Sequence, residues 1–142
     1  MARPAPAPRS AYRWFTALQT RWLDNDRFGH MNNAVHYQLF DTAIALLHEE
    51  WAVYGGAQPL RDVVVESGCR YLAEARFPDT IHAGLRVAHM GRSSWRYDIG
   101  LFRNDEDSAF AEGFFAQVQT GADGLPQPLP EGFRARLAGL AA

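Results

Sequence analysis

One amphipathic stretch constrains the fold of this chain more than any other feature. From about Ala34 to Trp51 the apolar residues Val35, Leu39, Phe40, Ala43, Ile44, Leu47 and Trp51 recur at helical spacing and form a broad stripe. Asn32 or Asn33 supplies an N-cap, and Gly55-Gly56 with Pro59 stop the chain downstream. No other long helix is predicted. Upstream, Tyr12, Trp14, Phe15, Leu18 and Trp22 give an aromatic-rich strand. After Leu60 the chain reads as strand. A segment from Val63-Val64-Val65 to about Ala75 is followed by a turn at Phe77-Pro78-Asp79, and a segment from Ile81 to His89 by a turn at Gly91-Arg92-Ser93. Trp95, Tyr97, Ile99 and Leu101 then alternate cleanly, Asn104-Asp105-Glu106-Asp107 turns the chain, and Ala109 to Thr120 forms the last long strand. A short helix is predicted over Phe133–Leu140.

A lone helix apolar over much of its surface needs a sheet to cover it, which is the α+β layer arrangement. Consecutive strands joined by short turns favour antiparallel pairing. Two such units could pair sheet edges and so remove an exposed edge from each. At 142 residues the chain fits one domain. The expected division is a disordered, solvated arm over 1–11, with alternating prolines and no apolar leader segment, and a folded domain over 12–142.

Composition excludes several chemistries. All fourteen cationic residues are arginine, so no Schiff-base lysine, phosphate-loop lysine or Ser-Lys pair exists. A formal net charge of -2 argues against a general nucleic-acid binder. No run of apolar residues is long enough for a transmembrane helix. The single cysteine, Cys69, cannot form an internal disulfide, which favours a cytoplasmic location, and its place in a strand suggests a buried small hydrophobe. No metal-ligand spacing is present: His36 and His48 are too far apart on the helix, and His48-Glu49-Glu50 reads as a solvated helix end.

The segment Asp24-Asn25-Asp26-Arg27-Phe28-Gly29-His30-Met31-Asn32-Asn33 gathers carboxylates, an imidazole and amides just before the helix. A helix N-terminus offers unpaired N–H groups and partial positive charge, able to polarise a carbonyl during acyl transfer. A nearby carboxylate could attack that carbonyl or take a proton from water. Residue types alone favour turn formers and caps.

The run Arg21-Trp22-Leu23-Asp24-Asn25-Asp26, with Gly29-His30-Met31-Asn32-Asn33-Ala34 and Tyr37, resembles the active-site loop of 4-hydroxybenzoyl-CoA thioesterase-like proteins. It is most similar to their bacterial acyl-CoA thioesterases with His-x-Asn-Asn at the helix entry. Phe77-Pro78-Asp79-Thr80-Ile81, Gly91-Arg92-Ser93-Ser94 and Ala109 to Val118 resemble that family's later turns and final strand. The resemblance implies a hotdog fold, one long central helix wrapped by a five-stranded antiparallel sheet, and hydrolysis of an acyl-CoA or acyl-carrier-protein thioester without a cofactor or metal. It implies that Asp26 is the nucleophile or general base, that the backbone at Asn33 polarises the carbonyl, and that His30 and the Asn33 side chain orient water or substrate. Asp24 is expected to be structural. Arg92, Ser93 and Ser94 are the first candidates for the CoA phosphates, with Arg96 and Arg86 behind them, and Tyr37 for substrate contact. A homodimer or homotetramer with the site between subunits is implied. The 4-hydroxybenzoyl enzymes lack the His-x-Asn-Asn run, so their aromatic substrate does not carry over. A hotdog hydratase or dehydratase and a non-catalytic acyl-CoA binder are the alternatives.

Overall fold

The computed structural model describes residues 4–142. Five strands form one antiparallel sheet: β1 (Trp14–Gln19), β2 (Asp62–Tyr71), β3 (Thr80–Met90), β4 (Ser94–Arg103) and β5 (Ala111–Gln119). Helix α1 spans Val35–Glu50 and a short α2 spans Glu131–Ala138. The spatial order is β1-β3-β4-β5-β2, so β1 and β2 are the edges. Hairpins join β3 to β4 and β4 to β5. Short-turn pairing does not extend to β2 and β3: β2 pairs with β5, Asp62 facing Gln119 and Tyr71 facing Ala111. The chain therefore crosses one end of the sheet between Tyr71 and Thr80 before β3 begins.

The sheet wraps α1, the hotdog arrangement implied by the loop. Trp95, Tyr97, Ile99 and Leu101 all point inward from β4, as their alternation requires. They meet Leu39, Phe40, Ala43, Ile44 and Leu47 of the helix stripe in one core. Close approach of helix and sheet depends on Gly113, where an added Cβ would lie 2.5 Å from the Phe40 ring.

Two expectations are corrected. His48 is fully buried, not at a solvated helix end. Its ring nitrogens contact Tyr54 Oη at 2.8 Å and Tyr97 Oη at 2.9 Å, and desolvation holds its pKa down to about 4. The N-terminal arm is docked from Ala7 onward: the Ala109 N–H donates to the Ala7 carbonyl, Arg9 donates to the Glu106 and Asn104 carbonyls, and Tyr12 is buried against Phe102. The start of the expected arm, residues 1–3, lies outside the described residues. No helix among the described residues is long and apolar enough to cross a membrane.

Candidate active site

The loop between β1 and α1 folds back on itself as a small ribbon. The Asp26 N–H donates to the His30 carbonyl (2.7 Å), Asn25 bridges Met31, and the Asn32 N–H donates to the Asp24 carbonyl (2.8 Å). Gly29 takes φ +80° at the tip, a left-handed conformation that glycine adopts without a Cβ clash. Asp24 anchors the ribbon's base, as expected. Its buried carboxylate accepts from the Arg21 backbone at 2.7 Å and from the Arg21 guanidinium at 2.9 Å.

Asp26 presents one oxygen inward and one outward. Oδ1 accepts from the Phe28 N–H (2.8 Å) and the His30 N–H (3.2 Å), while Oδ2 makes no hydrogen bond among the described residues. The carboxylate is thus fixed in orientation with one oxygen uncommitted. The helix entry is equally ordered. Asn32 Oδ1 accepts from the Ala34 N–H at 2.9 Å in an Asx turn; the N-cap itself is Ala34, without a side-chain cap, which corrects the expected asparagine cap. The Asn33 carbonyl accepts from Tyr71 Oη (2.9 Å) and lies 3.2 Å from His36 Nδ1, the neutral ring's N–H side. Burial holds the His36 pKa below its ordinary value, consistent with that neutral form. The Asn33 N–H has no partner among the described residues, which leaves it able to donate to an incoming oxygen.

Of the residues predicted from sequence, Asp26 and His30 come together directly. Asn33 lies three ribbon positions further on, past the paired Asp24 and Asn32. Tyr37 sits in the first turn of α1, half-buried against Phe40 and Phe115. Arg92, Ser93 and Ser94 are elsewhere in the subunit. Their turn follows the end of β3, whereas the Asp26 loop packs beside its start through the Met31 N–H to Ala75 carbonyl bond. The length of β3 separates the two by roughly 30 Å. Arg86 and Arg96 are both paired to Asp98, at 3.3 and 3.1 Å, on the sheet's outer face. Arg92 is exposed and its guanidinium has no partner among the described residues. Cys69 is half-buried and its thiol is pushed up to about 11 by desolvation, which leaves it unsuited to nucleophilic attack at neutral pH.

Sequence reading missed Tyr71, His36 and Glu74. Glu74 Oε2 lies 3.0 Å from His30 Nε2. Tyr71, at the end of β2, and Glu74, in the crossing segment, reach the helix entry and the loop from far along the chain, where no local pattern signals the contact; His36 lies in the first turn of α1 itself, three residues from Asn33.

Residues 20–137 match the Thioesterase-like superfamily. The chain belongs to that superfamily. Among solved structures, the PA5185 protein of Pseudomonas aeruginosa strain PAO1 is 38% identical over 98% of both chains, with a TM-score of 0.89. A Thermus thermophilus thioesterase crystallised with coenzyme A and Zn is 28% identical, covering 89% of this chain and 98% of that one, with a TM-score of 0.74. Slr0204, a 1,4-dihydroxy-2-naphthoyl-CoA thioesterase of Synechocystis, shares the fold at 13% identity and a TM-score of 0.77, covering 87% of this superfamily member and 94% of Slr0204. No curated protein sequence matches the chain.

Proposed function

We propose that this superfamily member hydrolyses an acyl-CoA thioester to a carboxylic acid and free CoA, within the 4-hydroxybenzoyl-CoA thioesterase-like branch. The observation that carries the reading is that one loop holds both an Asp26 carboxylate with an uncommitted Oδ2 and, at the helix entry, an Asn33 N–H without a partner among the described residues. The thioester carbonyl accepts a hydrogen bond from the Asn33 N–H, where the helix field favours developing negative charge. Asp26 Oδ2 then either attacks the carbonyl carbon, expelling thiolate and leaving a mixed anhydride that water opens, or takes a proton from an attacking water. His30 and the Asn33 side chain orient water or substrate. The coenzyme A bound to the Thermus relative supports a CoA substrate.

The exposure of β2 supports a homodimer as the working unit. It is an edge strand whose Val63, Val64 and Val65 remain 46%, 46% and 61% exposed. Antiparallel pairing of this edge with a second copy reverses the partner's sheet. The second copy's Arg92-Ser93-Ser94 turn then lies at the same end as this subunit's Asp26 loop. That arrangement offers the phosphate contacts a single subunit holds too far away, and Trp22, Leu23 and Phe28, exposed around the loop, would gain cover. Pairing of two dimers gives the tetramer. The single cysteine, with no internal disulfide partner, suits a cytoplasmic enzyme.

Thiol release from short, medium, long and aromatic acyl-CoAs, and from acyl-carrier protein, tests the reading beside Asp26→Ala and Asp26→Asn. Both variants should lose about 10²–10⁴-fold in kcat with unchanged circular dichroism. Full activity in either variant sinks the mechanism. Tight retention of acyl-CoA without turnover by the native protein would make it a binding protein instead. A stable, fully active monomer by light scattering would dispose of the intersubunit site.

A further inference from the structure

We infer that Glu74 is a positioning residue that fixes the His30 ring, leaving Nδ1 as the nitrogen presented to the water of the reaction; this rests on the reading of Asp26 as the reactive carboxylate. Glu74 Oε2 lies 3.0 Å from His30 Nε2. The contact is a close electrostatic approach, and a carboxylate oxygen this near repels a ring lone pair, which favours the hydrogen on Nε2. In the neutral imidazole the lone pair then belongs to Nδ1. No partner occupies Nδ1 among the described residues.

The segment that delivers Glu74 is held from both sides. Toward the loop, the Met31 N–H donates to the Ala75 carbonyl at 2.8 Å and the Phe77 N–H donates to Asn25 Oδ1 at 3.0 Å. Toward the sheet, Arg103 Nη1 donates to the Glu74 carbonyl, and Arg103 Nε is itself held by Glu106 Oε2 at 2.7 Å. The backbone of His30 is meanwhile fixed to Asp26 at both its N–H and its carbonyl. Glu74 and His30 line a polar cavity of about 410 Å3 with Arg76, Asp79 and Arg103, and Asp26 is joined to them through the His30 backbone. The His30 and Glu74 side chains are 43% and 69% exposed, so their contact adds little to stability. Its consequence is the direction and tautomer of the ring.

Both routes open to Asp26 consume one water. In the direct route that water bonds to the thioester carbon while Asp26 takes its proton, the C–S bond breaks, and the departing thiolate recovers the proton. In the anhydride route the water opens the anhydride. Nδ1 accepts a hydrogen bond from that water in each case and carries no net charge away.

The test couples nitrogen NMR of isotope-labelled histidine to steady-state kinetics. Native protein should show His30 as the Nε2–H tautomer, and Glu74→Ala should shift it to a mixture. The same variant should lose about tenfold in kcat with KM unchanged, as expected for a misdirected orienting group. Glu74→Gln, whose amide oxygen still accepts, should restore most of kcat. In a His30→Ala background Glu74→Ala should cost nothing further. A native tautomer and native kcat in Glu74→Ala, or an equal loss with and without His30, overturns the assignment. The NMR readout needs no turnover. Full activity of Asp26→Asn alongside a shifted tautomer would therefore reject the Asp26 mechanism while leaving the Glu74–His30 contact standing.

Discussion

Acidifying the protein from pH 7 to pH 4.5 should favour unfolding, because a buried histidine resists the proton that the unfolded chain takes up. His48 is fully buried in α1, with its ring nitrogens against the Tyr54 and Tyr97 hydroxyls. The Tyr54 hydroxyl donates to Asp62 Oδ1 (3.5 Å), which directs Nδ1–H of His48 toward the Tyr54 oxygen and leaves Nε2 to accept from the Tyr97 hydroxyl. A second ring proton would turn Nε2 into a donor, so the buried Tyr97 hydroxyl would have to give up its bond to the ring and reorient to accept. Desolvation of the ring accounts for the depression of its pKa from 6.5 to about 4. Because the unfolded histidine binds a proton near 6.5 and the folded one does not until about 4, the unfolded state holds more protons between those values. Stability is therefore fully present above the unfolded pKa and falls as pH drops through this window. The full displacement corresponds to about 3 kcal/mol, of which about 2–3 kcal/mol is lost by pH 4.5. Asp62, whose pKa burial raises, contributes with the opposite sign, so the comparison must be made between variants. Urea unfolding of native protein and His48→Gln at pH 7 and pH 4.5 makes that comparison. The native midpoint should fall by about 1–2 M more than the variant's. Equal falls in the two proteins, or a His48 NMR titration near 6.5, would refute the reasoning.

Three further outcomes are expected. Tyr71→Phe removes one of the two groups holding the Asn33 carbonyl; kcat should fall about 3–10-fold with KM and melting temperature nearly unchanged, and a pure KM effect would contradict the role given to the Asn33 peptide. Gly113→Ala places a Cβ 2.5 Å from the Phe40 ring; calorimetry should show about 1–3 kcal/mol of destabilisation, and a native melting temperature would show that helix and sheet can part freely. Arg92→Ala should raise KM for acyl-CoA about tenfold and leave KM for the matching acyl-pantetheine, which lacks the nucleotide phosphates, unchanged; equal KM shifts for both would reject phosphate binding there.

What the sequence determined by itself was local. The stripe from Val35 to Leu47 is a helix face because its spacing matches 3.6 residues per turn, and Trp95 to Leu101 is a strand face because its spacing is two. The Asp24–Asn33 loop was legible for the same reason, since it depends on neighbours within a few residues, whereas the expected asparagine cap fell instead on Ala34. The tertiary structure alone decided what depends on distant segments. Pairing β2 with β5 sends the following chain across the sheet's end, and that crossing carries Glu74 to His30; Tyr71, at the end of β2, reaches Asn33. The burial of His48 follows from strands that close over the helix C-terminus, and the docking of the arm from the Arg9 contacts with the β4–β5 turn. Element type is written in periodicity along the chain. Which elements meet is settled by the burial and hydrogen bonding gained once loops close, and no short stretch of sequence records that balance.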